Sequence, residues 1–323
     1  MSSVSVIIPV YNAEPFIHEA VLSALSQPHC AEIILVEDAS TDDSLAICHT
    51  LAKKYPTQVR VIQHDNHANL GAAMSRWVGL QHSTSPYIAF LDADDTFAPD
   101  HLNIAMAQLD QFADIDGVYG VTQWVYTDKS TEERVLRLLG ELPKETALTR
   151  PTPSQDLFDA LVSDYHGHFS INTLVCRREA LMHRDYFSPR LVMGEDVAFT
   201  IKLASRANLI ANGTSAPIMF ARVHGGNRST GQKNYAQVFD EYMTYWRSLN
   251  TWGKNNLSAS QHSMVLFHWL RYFVYHTPKR GRIPKTKLFP IQKRLRLIKF
   301  AIQNPQALFK RGYWRHILPK QLL

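Results

Sequence analysis

Short runs of aliphatic and β-branched residues alternate along the chain with stretches whose apolar positions recur at helical spacing. Residues 5–10, 32–36, 59–63 and 87–91 read as strands. Residues 15–26 place Phe16, Ala20 and Leu25 near one helical face, and residues 44–54 do the same with Leu45, Cys48 and Leu51. The order β-α-β-α-β-α-β predicts an α/β fold in which a Rossmann-like, mainly parallel sheet is flanked by helices. Between about 114 and 153 the periodicity weakens, leaving one strand over 118–126 and a charged segment over 127–150 that is expected to be mobile. Order returns with a helix over 154–163, a strand over 172–176, a helix starting near Glu195 and a strand over 217–223. Beyond Gln232 the pattern is mostly helical.

Ligands of such sheets bind just past the carboxyl ends of the strands, so the loops that follow the strands should converge on one cleft. Those loops hold the unusual polar residues. They are Pro9-Val10-Tyr11-Asn12, then Glu37-Asp38-Ala39-Ser40-Thr41-Asp42, then Asp92-Ala93-Asp94-Asp95, with Asn69-Leu70-Gly71 ahead of the helix that carries Arg76. Close carboxylates at 92–95 repel, and a hard divalent cation with oxygen ligands relieves that repulsion while leaving positions open for phosphate oxygens. The plainer alternative is an acidic turn in which Asp95 or Thr96 caps the next helix. Asp38 follows a buried-looking strand, where its carboxylate could accept hydrogen bonds from a base or ribose; the alternative is that the whole 37–43 cluster caps the helix after it.

Four ordered segments together resemble glycosyltransferase family 2, whose members have the GT-A fold and invert the anomeric centre of a nucleotide-activated sugar. They are Val6-Ile7-Ile8-Pro9-Val10-Tyr11-Asn12-Ala13-Glu14, Ile34-Leu35-Val36-Glu37-Asp38-Ala39-Ser40-Thr41-Asp42, Asn69-Leu70-Gly71 with Arg76, and Phe90-Leu91-Asp92-Ala93-Asp94-Asp95. The resemblance runs from Val4 to about Thr230. It implies that Pro9, Tyr11 and Glu14 line the nucleotide pocket, that Asp38 contacts the base and that Arg76 helps hold the nucleotide. Asp92 and Asp94 match the family's DxD motif, with Asp94 as metal ligand, Asp92 as ribose or sugar contact, and Asp95 as a third candidate acid. Met193-Gly194-Glu195-Asp196 resembles the family's Glu-Asp motif, which makes Asp196 the catalytic base and Glu195 its support; two acids at the start of a helix are the plainer reading.

The segment Arg222-Val223-His224-Gly225-Gly226-Asn227-Arg228-Ser229-Thr230 resembles a late family segment near the pyrophosphate. It brings in His224 as a further metal ligand and Arg222, Arg228 and Ser229 as diphosphate contacts, although a lone His is more often structural. The implied cofactor is Mn²⁺ or Mg²⁺. The implied partners are a nucleotide-diphosphate sugar, UDP favoured, and a glycan or lipid-linked acceptor used in cell-envelope polysaccharide synthesis. On this reading residues 1–231 form the GT-A domain, with a nucleotide-binding half over about 1–113 and an acceptor-side half over about 114–231, and 232–323 form a helical basic extension. Two departures bear on donor recognition. Glu37 stands where the family commonly has a first Asp, and Ser75 and Trp77 flank Arg76 where it commonly has Ala and Asn.

Charge adds a partner. The formal charge is +5, yet no Asp or Glu follows Glu241, and that stretch holds 16 of the 34 Lys and Arg. The remaining 18 face all 29 acids, so the front of the chain is net acidic and the tail strongly basic. In the tail Ile291, Leu295, Ile298 and Ile302 share one helical face away from Lys293, Arg294, Arg296 and Lys299, with Tyr313 and Trp314 beyond. Such a basic amphipathic helix suits an anionic membrane surface, while packing on the enzyme or on a second subunit of a homo-oligomer is the alternative cover for its apolar face. Nucleic acid is not expected, since no recognition module accompanies the tail. Cys30, Cys48 and Cys176 have neither disulfide nor zinc spacing, and no signal peptide or membrane-spanning run is read, so a cytoplasmic protein, peripheral on the inner face of the membrane, is expected. A sugar-nucleotide or phosphate-binding protein without catalysis is the rival class, and a sugar-phosphate nucleotidyltransferase is disfavoured because no Gly-rich basic loop follows the first strand.

Overall fold

A computed structural model describes residues 3–148, 152–163, 167–189, 191, 193–227 and 235–275. The chain divides into two compact units, Met1–Gly231 and Gln232–Leu323. The first runs β1 (Val4–Val10), α1 (Ile17–Leu25), β2 (Cys30–Glu37), α2 (Ser44–Lys54), β3 (Val59–Gln63), α3 (Ala72–His82), β4 (Tyr87–Phe90), β5 (Thr96–Phe97), α4 (His101–Gln111), β6 (Gly117–Tyr119) and β7 (Val121–Tyr126). It continues with α5 (Lys129–Leu139), β8 (Glu145–Thr146), α6 (Ser154–Ser163), β9 (Val175–Arg177), α7 (Arg178–Leu181), α8 (Glu195–Ala204), β10 (Leu209–Ala211) and β11 (Pro217–Val223). The second unit contains α9 (Tyr235–Asn256) and α10 (Ala259–Tyr275).

Seven strands form the main sheet in the order β10-β6-β9-β4-β1-β2-β3. All pair in parallel except β9, which is antiparallel to both β4 and β6. Every residue of β1 is buried, as a central parallel strand covered on both faces requires. Val6, Ile8 and Val10 point into a core shared with Ile17, Ala20, Val21 and Ala24 of α1. The alternate residue Ile7 faces α3, where Gly79 allows the helix to lie directly on the sheet: a Cβ at 79 would collide with Ile7 Cγ2. Each such fully buried aliphatic side chain contributes about 1.5–3 kcal/mol.

The expected mainly parallel sheet and its first four strands are present, and the later elements differ in instructive ways. The single strand expected over 118–126 is two strands, β6 in the main sheet and β7 in a second sheet of order β5-β11-β7-β8. The break falls at Gly120, where Asn212 and Ile218 occupy the place a Cβ would take. The segment expected to be mobile contains α5 and β8. Asp128 caps α5 by accepting from Thr131 N at 2.9 Å, and Gly140 ends it in the left-handed conformation at φ 83°. The strand expected over 172–176 starts later, because Ile171–Thr173 form one tight helical turn before β9.

In the second unit α9 and α10 pack together, and His262 Nε2 lies 2.9 Å from Asn250 Oδ1. No described helix is long and apolar enough to cross a membrane. The amphipathic segment expected over 291–302, with Tyr313 and Trp314, lies outside the described residues, as do Arg228 and Ser229.

Candidate active site

The carboxyl ends of β1 and β2 turn through left-handed residues, Asn12 at φ 50° and Ala39 at φ 61°, and the loops that follow are latched together. Asn12 N donates to Ser40 Oγ at 3.1 Å, and Asn12 Oδ1 accepts from Thr41 N at 2.8 Å. Ala13 N donates to Ser44 Oγ, Glu14 N donates to Asp42 Oδ2, and Glu14 Oε2 accepts from Asp43 N at 3.3 Å. Glu14 therefore ties one loop to the other. Pro9 is buried within β1, and Tyr11 is 42% exposed at the edge. Glu37, buried, accepts from Ala39 N and Ser40 N and so shapes the turn itself.

Asp38 is 2% exposed. Its two oxygens accept from Leu70 N at 2.6 Å and Gly71 N at 2.9 Å, its carbonyl accepts from Asn69 Nδ2, and His64 Nε2 lies 3.3 Å from Oδ1. The carboxylate that the sequence assigns to a base thus holds the Asn69–Gly71 loop ahead of α3. Gly71 sits there at φ 82°, a conformation that favours glycine.

Helix α3 carries the buried Arg76, whose Nη2 donates to Asp92 Oδ1. Burial works against the Arg76 charge, but the carboxylates of Asp92, Glu195 and Asp196 outweigh it and hold the guanidinium above its usual pKa. Asp92 of the loop after β4 contacts this buried cation, and Glu195 and Asp196 at the start of α8 lie within its field. Gly194, left-handed at φ 72°, starts α8, and the Asp196 carboxylate accepts from Val197 N at 2.8 Å.

Asp94 lies on the other side of the same loop. Its Oδ2 is 3.1 Å from His224 Nε2 and accepts from Asn227 Nδ2 at 3.2 Å. His224 packs on Phe16 at 4.5 Å between ring centroids, and Arg134 Nη2 of α5 donates to the His224 carbonyl at 2.9 Å. Arg222 follows a different course: it pairs with Glu19 of α1 at 2.6 Å and lies over the Phe16 ring. Asp95 is buried, with Oδ1 accepting from Arg222 N and Oδ2 from Asn172 Nδ2. Burial first, then the neighbouring Asp94 and Asp92 charges, push its pKa well above the usual carboxylate range. Asp95 thereby ties the 92–95 loop to β11 and to the turn before β9.

No group of three or more His, Cys, Asp or Glu is gathered as a metal-holding set among the described residues. Asp94 and His224 do supply one carboxylate and one imidazole at adjoining positions, with side chains 31% and 18% exposed. Two oxygen and nitrogen donors that remain open to solvent fit a divalent cation that takes its other ligands from phosphate and water.

Arg134, Asn172, Asn227 and Phe16 were not singled out from sequence. Asn227, three residues past His224 in a Gly-Gly turn, had a local signal; Arg134 and Asn172 reach the site only because α5 and the turn before β9 fold against it.

A family model described as glycosyl transferase family 2 matches residues 5–181. The minor teichoic acid biosynthesis protein GgaA of Bacillus subtilis is 29% identical over 203 residues, covering 60% of this chain and 42% of that protein. The chain spans about half or less of the length of the first curated relatives it matches. Staphylococcus aureus TarS 1–349 in complex with UDP superposes with a TM-score of 0.62 at 20% identity, covering 94% of this chain and 81% of that one. The mannosyltransferase PcManGT of Pyrobaculum calidifontis, solved with GDP-Man and Mn²⁺, superposes at 0.50 with 17% identity over 93% of this chain and 86% of that one. At these identities the likeness to solved structures establishes the fold.

Proposed function

Because this chain belongs to glycosyl transferase family 2 and has the GT-A fold, we propose that it transfers a sugar from a nucleotide-diphosphate donor, UDP favoured, to a hydroxyl of a glycan or lipid-linked acceptor in cell-envelope polysaccharide synthesis. The observation that carries this reading is the convergence of Asp92, Glu195 and Asp196 on the buried Arg76, beside Asp94 and His224, at the carboxyl edge of the sheet. Residues 1–231 are the catalytic domain, with nucleotide binding in about 1–113 and acceptor binding in about 114–231; residues 232–323 are a basic extension.

Asp196 takes the proton of the acceptor hydroxyl as that oxygen attacks C1 of the sugar from the face opposite the departing diphosphate, so one displacement inverts the centre. Glu195 and Arg76 support Asp196 in its place. The latched loops carrying Pro9, Tyr11 and Glu14 wall the base pocket, with Asp38 fixing its third side through the Asn69–Gly71 loop. Asp92 turns its exposed edge to the ribose or sugar. Asp94 and His224 would hold Mn²⁺ or Mg²⁺, with Asp92 and Asp95 as neighbouring acids. When bound, that ion offsets the charge that grows on the leaving diphosphate. Arg222, Arg228 and Ser229 belong to the segment on the diphosphate side. GgaA, by its name a teichoic acid biosynthesis protein, and TarS, solved with UDP, support this choice of donor and pathway class. The basic tail places the enzyme on the anionic inner face of the cytoplasmic membrane.

The test is a panel of nucleotide sugars assayed with Mn²⁺ or Mg²⁺ for binding and for nucleoside diphosphate release, followed by acceptor screening. The proposal expects at least one donor to be turned over. Folded protein that binds no nucleotide sugar and no nucleoside diphosphate overturns it, and cation-dependent binding with no turnover on any acceptor moves the chain to the class of non-catalytic binding proteins.

A further inference from the structure

Trp77 follows Arg76 on α3, at the position where the resemblance leads one to expect Asn. It is half-buried and packs on Phe187, with ring centroids 5.5 Å apart. Phe187 packs on Phe199 of α8 at 5.2 Å, and Phe199 meets Phe90 of β4 edge-on at 5.8 Å. These aromatics map onto the charged group described above. Trp77 is next to Arg76, Phe199 lies one helical turn after Asp196, and Phe90 stands two residues before Asp92. A continuous run of rings thus joins the three backbone segments that bear the cation, the base and the first acid of the 92–95 loop.

The turn Arg184–Tyr186 and the residues after it act as the wedge between the two helices. On the α3 side, Arg184 lies 5.8 Å from the Trp77 ring centroid, and its Nη2 donates to Met74 Sδ at 2.8 Å. The same guanidinium donates from Nη1 to the Phe187 carbonyl at 2.8 Å, which sets the ring that Trp77 touches. On the α8 side, Lys202 Nζ donates to the Asp185 carbonyl and to Ser188 Oγ, both at 2.8 Å, and Arg206 pairs with the Asp185 carboxylate. The wedge is gripped by α8 and the turn after it through the polar contacts of Lys202 and Arg206, whereas its hold on α3 passes through the ring of Trp77 and the sulfur of Met74. Protein interiors transmit such displacements because they are close-packed, so the thickness of this wedge sets how far apart the helices lie.

We propose that Trp77 is a positioning residue that, through Arg184 and Phe187, sets the separation of α3 from α8 and with it the placement of Arg76 against Asp196. This rests on the assignment of Asp196 as the base. Trp77 does not itself touch the transferred group. It fixes the angle at which the base meets the acceptor, a quantity to which turnover is far more sensitive than donor affinity.

The test uses the full chain with the donor and acceptor found in the panel. Trp77→Ala should lower kcat by about 10- to 100-fold, the scale expected for a misplacement of roughly 1 Å, with donor KM nearly unchanged. Trp77→Phe, which keeps a ring against Phe187, should restore most of kcat, and Arg184→Ala should reproduce the kcat loss while leaving the core aromatics in place. Thermal unfolding of each variant separates misplacement from loss of the fold; if Trp77→Ala does not fold, Arg184→Ala decides. Wild-type kcat in Trp77→Ala, a loss that falls on donor KM instead, or equal impairment in the Phe variant overturns the proposal. So does a crystal structure of Trp77→Ala or Arg184→Ala in which α3 and α8 keep their wild-type separation, and this holds whether or not the wild type turns over a sugar nucleotide. Absence of wild-type turnover, by contrast, counts against the proposed function.

Discussion

Arg76 Nη2 meets Asp92 Oδ1 at 2.5 Å, with the arginine side chain 4% exposed and the aspartate side chain 38% exposed. The cation is anchored inside while its partner stands at the surface of the cleft. Asp92 therefore presents a second oxygen outward while its first is fixed, and Glu195 and Asp196 lie within the field of the same guanidinium. The Arg76 Nε is buried with no hydrogen-bond partner among the described residues, so the interaction there is carried by charge and by the Nη2 contact.

Arg76→Met keeps much of the buried stem but leaves three carboxylates without their shared cation. We expect a loss of about 2–4 kcal/mol in urea unfolding, below the upper range for a fully buried pair because Asp92 is partly solvated. Wild-type stability in this variant would show that packing, and not charge, holds the three acids together.

Asp196→Asn removes the proposed proton acceptor and keeps the shape of the side chain. Turnover should fall about 10²- to 10⁴-fold, the usual contribution of a well-placed general base, while donor binding measured by calorimetry stays close to wild type. Retained turnover assigns the base elsewhere.

Burial and the neighbouring Asp94 and Asp92 charges push the Asp95 pKa well above the usual carboxylate range, and its oxygens accept from Arg222 N and Asn172 Nδ2. Asp95→Asn keeps one acceptor for Arg222 N, and its NH2 can donate to Asn172 Oδ1, which is buried without a partner among the described residues, once the Asn172 amide turns over. It should stay within about 1 kcal/mol of wild type, whereas Asp95→Ala should cost about 1–3 kcal/mol by leaving buried donors unmade. Cation-dependent donor binding should survive in the Asn variant; its disappearance would place Asp95 among the metal ligands.

Lys202, buried against the Asp185 carbonyl and Ser188, has its pKa lowered by burial from 10.5 to about 8. A depressed folded-state pKa means that the unfolded chain binds more protons between those values. This group's contribution is therefore present above 10.5 and is lost as pH falls through about 8. The stability of wild type minus that of Lys202→Met, from urea unfolding, should accordingly rise between about pH 7.5 and about pH 10. A flat difference would mean that the ammonium is as well solvated in the fold as outside it.

Among the candidate site residues, the positions of those on strand-end loops were legible because strand period and loop position are local properties. Pro9, Tyr11, Asp38, Asp92 and Asp94 lie at or just past the carboxyl ends of parallel strands, where a β-α-β order must put them, whereas Asp196 heads α8 and was singled out by the resemblance of its Glu-Asp pair. Legibility stopped where partners come from far along the chain. Nothing near Asp38 announces that Leu70 and Gly71 take its oxygens, and nothing near Arg222 announces Glu19, 203 residues away. The α5 segment was misjudged for a different reason. Its Asp128 cap and Gly140 stop are ordinary signals, but the dense charge of the helix between them masked the buried face formed by Thr131 and Val135.

What the sequence determined by itself was the alternation of strand and helix, the parallel sheet that follows from it, and the set of loops on which polar chemistry would gather. Those depend on periodicity over a few neighbouring residues and on the need to bury both faces of β1. The tertiary structure alone decided which partner each acid meets: Asp38 the Asn69–Gly71 loop, Asp95 the Arg222 backbone and Asn172, and Asp92, Glu195 and Asp196 the field of one buried arginine. Charge state and hydrogen-bond partner are set by desolvation and by through-space distance, and neither exists until the chain has folded.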